Sequence, residues 1–103
     1  MRFEEQPPGT YKVLRTDGAI IMCAEKPNLT TIRKAIGCKS IDTVILSWSQ
    51  EGLAGTIMLV DDTGMLDEKP VNETATKLMR AIFGPEYPNR IHGDVAICND
   101  GDF

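Results

Sequence analysis

The chain lacks any apolar run long enough to cross a bilayer. Residues 19–24 and 56–60 are its longest such stretches, against the roughly 20 residues that a spanning helix needs. It also lacks a C-x-x-C pair; its three cysteines, Cys23, Cys38 and Cys98, are an odd number that fits reduced thiols better than a disulfide framework. The opening residues, Met1 to Gly9, are polar, acidic and proline-rich, with no apolar stretch for a secretion apparatus to read. These absences together set the expectation of a cytoplasmic protein without membrane association.

Catalytic motifs are equally scarce. With His92 as the single histidine, a Cys/His nucleophile has one imidazole to draw on, and a zinc site lacks ligands at converging spacing. There is no G-x-S-x-G elbow around Ser47 or Ser49 and no G-x-x-x-x-G-K-[ST] phosphate loop among the glycines. Asp61, Asp62, Asp67 and Glu68 crowd one stretch, but not at the alternating positions of a calcium loop, so they read as a solvated acidic turn. The expectation is no catalytic residues, no resident metal and no cofactor, and the reading leans away from an enzyme.

What is present suits one α+β domain. The 103 residues are 42% hydrophobic and 25% charged, near the averages for folded proteins and long enough for a real core without staples. The formal charge of −4 opposes non-specific attraction to phosphate backbones, which weighs against nucleic acid as a partner.

Residues 1–10 read as a flexible lead-in, and residues 11–103 as the domain. Residues 11–16 and 19–24 flank Asp17-Gly18, which predicts a hairpin closed by a tight two-residue turn. Leu29, Ile32 and Ile36 recur at helical spacing between a capping Asn28 and a terminating Gly37. Residues 41–48 and 56–60 are rich in β-branched side chains and predict a second hairpin. From about Val71 to Phe83 a second helix is expected, with Val71, Ala75, Leu78, Met79, Ile82 and Phe83 on its apolar face, Asn72 as its cap and Gly84-Pro85 as its stop. Residues 94–98 form the last strand.

The predicted order is β-β-α-β-β-α-β, a mostly antiparallel sheet of about five strands with two helices. The second, third and fourth strands carry apolar residues at adjacent positions, which predicts burial of both sheet faces. Two short helices are expected to cover one face at most. The other face then calls for loops, the first ten residues or a second copy of the chain, so self-association is an expectation.

Tyr11-Lys12-Val13 to Asp17-Gly18, Ile36-Gly37, Val60-Asp61-Asp62-Thr63-Gly64 followed by Pro70-Val71-Asn72-Glu73, and Gly93-Asp94-Val95-Ala96-Ile97 occur in an order that resembles the small phage- and plasmid-borne proteins catalogued as domain of unknown function 3846. The resemblance spans most of the chain after Thr10. It implies an accessory protein of a mobile element, expressed in the bacterial cytosol; it carries over no catalytic residue. The chain departs from the pattern at residues 78–90 and 48–55.

The resulting expectation is a non-enzymatic accessory protein that binds and blocks a host component. That component is either a host defence protein, met by an exposed sheet edge or apolar patch, or a small nucleotide signal, met by Arg80, Arg90 and His92 as ligand-binding residues for phosphate. A small metal-assisted hydrolase or transferase using loop carboxylates, and a DNA-associated regulator using Arg33, Lys34, Lys39, Lys77 and Arg80, are the competing readings.

Overall fold

In the computed structural model the described residues are 9–45, 56–64, 66–86 and 90–99. The elements in chain order are β1 (Tyr11–Leu14), β2 (Ile20–Cys23), α1 (Leu29–Ile36), β3 (Ile41–Ile45), β4 (Thr56–Asp61), α2 (Glu73–Phe83) and β5 (Val95–Asn99). The five strands form one sheet in the spatial order β2-β1-β5-β4-β3, every neighbouring pair antiparallel. The α+β class, five strands and two helices are as expected. Residues 1–8, the 46–55 connection with Trp48, and residues 100–103 lie outside the described residues.

The first hairpin closes differently from the predicted two-residue turn. Arg15 N donates to Ala19 O at 2.9 Å and Gly18 N to Arg15 O at 3.0 Å, so the loop is Thr16-Asp17-Gly18. Gly18 takes its last position at φ 90°, the left-handed slot of a three-residue hairpin. The carboxylate of Asp17 accepts from Ala19 N and stiffens the turn.

Both helices start where asparagine can cap them. Asn28 Oδ1 accepts from Thr31 N and Asn72 Oδ1 from Ala75 N, at 2.9 and 3.0 Å. Gly37 ends α1 in the left-handed conformation. Gly84 ends α2 at φ 106° and ψ 152°, an extended glycine-only conformation, not the left-handed cap that the Gly-Pro pair predicts. Val71 falls outside α2: it bridges antiparallel to His92. Phe83 is exposed, so the apolar face of α2 is narrowed to Ala75, Leu78, Met79 and Ile82.

The helices do not share a face. Ile32 and Ile36 of α1 pack on Tyr11, Val13, Ile57, Leu59, Ala96 and Cys98. Ala75, Leu78, Met79 and Ile82 of α2 pack on Leu14, Met58, Val60, Val95 and Ile97. Those two sets are the alternate positions of β1, β4 and β5, hence opposite faces of the sheet. The expectation that the helices leave one face for a second copy is therefore corrected: each helix covers one face, and all six residues of β4 are buried between them.

The expectation of burial on both faces fails for β3, whose Asp42 and Thr43 are exposed, and for β2. Its neighbour β1 carries Lys12 toward the α2 side, and the helices lie over β4, β5 and β1. A five-strand sheet is about 19 Å wide, while one helix is about 10 Å across. Strand β2, at the edge two places from the central β5, is left outside both helices.

The three cysteines are thiols outside any disulfide among the described residues and lie with the α1-side cluster. Tyr11 pairs with Cys23 on one side and Cys98 on the other, so those thiols are two strand spacings apart, about 9.6 Å. That exceeds the roughly 7 Å limit between α-carbons for a disulfide.

Candidate interaction surface and the polar end of the sheet

Among the described residues, strand β2 presents the clearest unpartnered surface. Ile20, Ile21 and Met22 are 56%, 42% and 68% exposed, consecutive in sequence, and no charged residue or proline interrupts the strand. Edges of natural sheets are usually blunted by charges, proline or a covering element. The opposite edge has such a guard, because Asp42 is exposed on β3. Strand β2 is instead held firmly open: it pairs with β1 along its whole length, and the Tyr11 hydroxyl donates to Glu25 Oε1 at 3.2 Å. Burial, reinforced by Cys23 and Glu25, raises the pKa of that phenol and keeps it a donor.

The second feature is a polar junction at one end of the sheet. Asn72 is fully buried, and its amide nitrogen donates to Leu14 O at 2.8 Å and Gly93 O at 3.0 Å. Asn72 N donates to Ile91 O and Gly93 N to Pro70 O. The entry to α2 and the entry to β5 are thus laced together, with the end of β1 tied in.

Beside this junction, Lys69 Nζ donates to both Gly37 O and Asp61 Oδ2. Asp61 also accepts from Thr63 N and Thr63 Oγ1. Burial pushes this carboxyl up, yet bonding to Lys69 and Thr63 outweighs it and the net shift is downward. The sequence places Asp61 in a solvated acidic turn; the structure corrects this, with its side chain 1% exposed and paired to Lys69. Asp67 Oδ2 shares the single Thr63 hydroxyl proton with Asp61. Among the described residues no cluster of His, Cys, Asp and Glu is arranged to hold a metal.

A shallow cleft of about 290 Å³ opens here, with Lys69, Gly93, Asp94 and Thr16 among its lining. Asp94 Oδ1 accepts from Thr16 N, and the ammonium of Lys69 is already shared between a carbonyl and a carboxylate. The cleft wall therefore offers little uncommitted charge.

Arg80, Arg90 and His92 do not line that cleft. His92 is half-buried, with Nδ1 2.8 Å from Lys69 O; a carbonyl only accepts, so Nδ1 carries the proton. Arg80 lies in the last turn of α2, eight residues or about 12 Å along the axis from Asn72. Its Nε is buried without a hydrogen-bond partner among the described residues. Arg90 is exposed. The Thr76 hydroxyl accepts from Ile91 N, so the segment bearing Arg90 and His92 runs along α2. Arg80 and His92 thus lie toward opposite ends of α2, and no described contact joins the three side chains.

Sequence reasoning missed the Lys69–Asp61 pair and the close approach at Gly64. A Cβ on Gly64 would lie 2.6 Å from His92 O, a main-chain atom. Gly64→Ala is expected to cost about 1–3 kcal/mol as an overpacking change, and to lower the melting temperature by roughly 5–15 °C in a calorimetric scan. An unchanged transition would show that the 90–93 segment yields freely.

No family model, no curated protein and no solved structure matches this chain, so its functional reading stands on the geometry above.

Proposed function

We propose that the chain is a non-enzymatic accessory protein of mobile-element type that docks on a host protein through the open β2 edge and thereby blocks it. The observation that carries this reading is the run of Ile20, Ile21 and Met22, all exposed on an unguarded edge strand. Ile20 and Met22 share one face of this edge and Ile21 lies on the other, so exposed apolar surface wraps an open strand, a combination that marks interaction sites. The bacterial cytoplasm is the compartment that fits its reduced cysteines.

A protein target is favoured over a nucleotide signal. Phosphate recognition calls for converging cations around a concavity. Arg80 is instead in the last turn of α2, His92 pairs with Val71 ahead of that helix, and neither they nor Arg90 line the cleft. Of the loop carboxylates that metal-assisted chemistry would use, Asp61 is already paired to Lys69.

The test is retention of bacterial lysate components by the tagged protein and by the double variant Ile21→Lys/Met22→Glu. Both positions are exposed, so the urea midpoint should stay within the effect of ordinary surface changes, about 0.5 kcal/mol. The expected result is at least a tenfold loss of a stoichiometric protein partner, equivalent to about 1.4 kcal/mol. Equal retention by both forms sinks the reading. Loss of a retained nucleotide in Arg80→Ala/Arg90→Ala would replace it with the small-ligand alternative.

A further inference from the structure

The hydrogen-bond parity of the first hairpin decides which main-chain groups β2 offers to a partner. Arg15 N donates to Ala19 O, making Arg15 and Ala19 a bonded antiparallel pair. Bonded and non-bonded pairs alternate along an antiparallel ladder. From the register Val13↔Ile21 and Tyr11↔Cys23 are then bonded pairs, whereas Leu14↔Ile20 and Lys12↔Met22 are not. The N–H and C=O groups of Ile20 and Met22 therefore point away from β1, into the open edge. The same two residues have the most exposed side chains of the strand.

A second copy of the chain is a poor occupant. Two-fold pairing would set Ile20 against Met22 of the copy with matched bonding, but α1 lies over β4 and β5. Five strand spacings, about 24 Å, would separate each α1 from its counterpart, and a helix spans only about 10 Å. The junction would stay uncovered on that face. Three part-exposed side chains of ~100 Å² each give roughly 600 Å² for the pair, about half of the ~1,200 Å² at which stable interfaces begin. Each copy would also bring a net charge of −4.

Resting on the reading of β2 as the docking edge, we propose that the occupant is an extended, uncharged, apolar segment of the target, added to the sheet as a sixth strand and bonded to the main chain of Ile20 and Met22. Main-chain bonds to a preformed edge need less apolar area than a domain interface, and side-chain specificity comes from alternate residues of the segment. Charge in the segment is disfavoured because Ile20, Ile21, Met22 and Cys23 offer it no counter-ion.

The test uses the full chain, isotope-labelled, titrated with a short acetylated peptide of alternating valine and threonine. Its twin has the same side chains with alternate amides N-methylated. The parent peptide is expected to shift the amide signals of Ile20 and Met22 and to slow their hydrogen exchange at least fivefold, with Ile21 and Cys23 already protected in the free protein. The twin is expected to leave both unchanged.

No response on β2 up to about 1 mM peptide, the weak limit of useful affinity, overturns strand addition, as does an equal response to the twin. Concentration-dependent sedimentation of the protein alone, with protection at Ile20 and Met22, overturns it in favour of self-pairing. Lysate capture abolished by Ile21→Lys/Met22→Glu alongside silent peptides rejects the strand mode and keeps the docking edge. Capture unaffected by those substitutions rejects both.

Discussion

Asn72→Ala is expected to cost roughly 3 kcal/mol, assembled from about 1 for a helix cap and about 1 for each of two amide–carbonyl bonds. The side chain is fully buried and uses both ends: Oδ1 caps α2 through Ala75 N, while Nδ2 holds Leu14 O and Gly93 O. Such a loss is a large share of the 5–15 kcal/mol by which domains are stable. Asn28→Ala removes a cap alone, on an exposed residue, and is expected to cost about 1 kcal/mol. Urea unfolding of the two variants should therefore separate clearly.

Asn72→Asp distinguishes the two roles of this residue. A carboxylate caps a helix as well as an amide does, but it cannot donate to Leu14 O and Gly93 O and would put buried negative charge against both. Asp at this position is expected to be at least as damaging as Ala, with faster amide exchange in β1 and β2, because Leu14 is the last residue of β1 before the hairpin turn. Wild-type stability in Asn72→Asp would reduce the residue to a cap and remove the argument for a buried junction.

Local chemistry made much of the fold legible. Asn28 and Asn72 were readable as caps, and Gly37 as a left-handed stop, because capping depends on neighbours within a few residues. The adjacent apolar positions of residues 56–60 predicted burial on both faces, and β4 is buried throughout. Long-range facts were not legible. Apolar content in residues 20–22 resembles that of β4, yet strand order, not composition, leaves β2 outside both helices. The split of the helices between faces is likewise set by crossover geometry, and periodicity within a helix is silent on it.

The site was legible in the same uneven way. An exposed edge was the expectation attached to a protein target, but no residue could be assigned to it from sequence, since β2 and the buried strands share one pattern. Asp61 looked like one acid among several in a turn. Its partner Lys69 is eight positions away, and only the fold brings it back over Gly37. A signal did exist: Asp61 continues the alternation of Ile57 and Leu59 toward the α1 side, so its carboxylate belongs to a buried face and needs a counter-charge.

Lys69→Met tests that counter-charge. Removing one partner of a buried pair leaves the other charged and desolvated, at a cost of about 3–5 kcal/mol. The low end, about 3 kcal/mol, is expected here because Lys69 is itself 25% exposed and the Thr63 bonds to Asp61 remain. The pH dependence gives the sharper result. In the wild type the carboxyl of Asp61 sits below its ordinary value: burial raises it, but bonding to Lys69 and Thr63 prevails. A depressed folded-state pKa contributes stability above the unfolded value, near ~3.9 for aspartate, and loses it as pH falls through the folded value. Without Lys69, burial is opposed by the Thr63 bonds alone, so the carboxyl moves up from its wild-type position and ionisation contributes less stability to the variant. Urea unfolding at pH 7 and again below about pH 4 should therefore show the gap between wild type and Lys69→Met shrinking as pH falls. A gap of constant size would mean that Lys69 acts through its bond to Gly37 O at the end of α1 and not through the charge of Asp61.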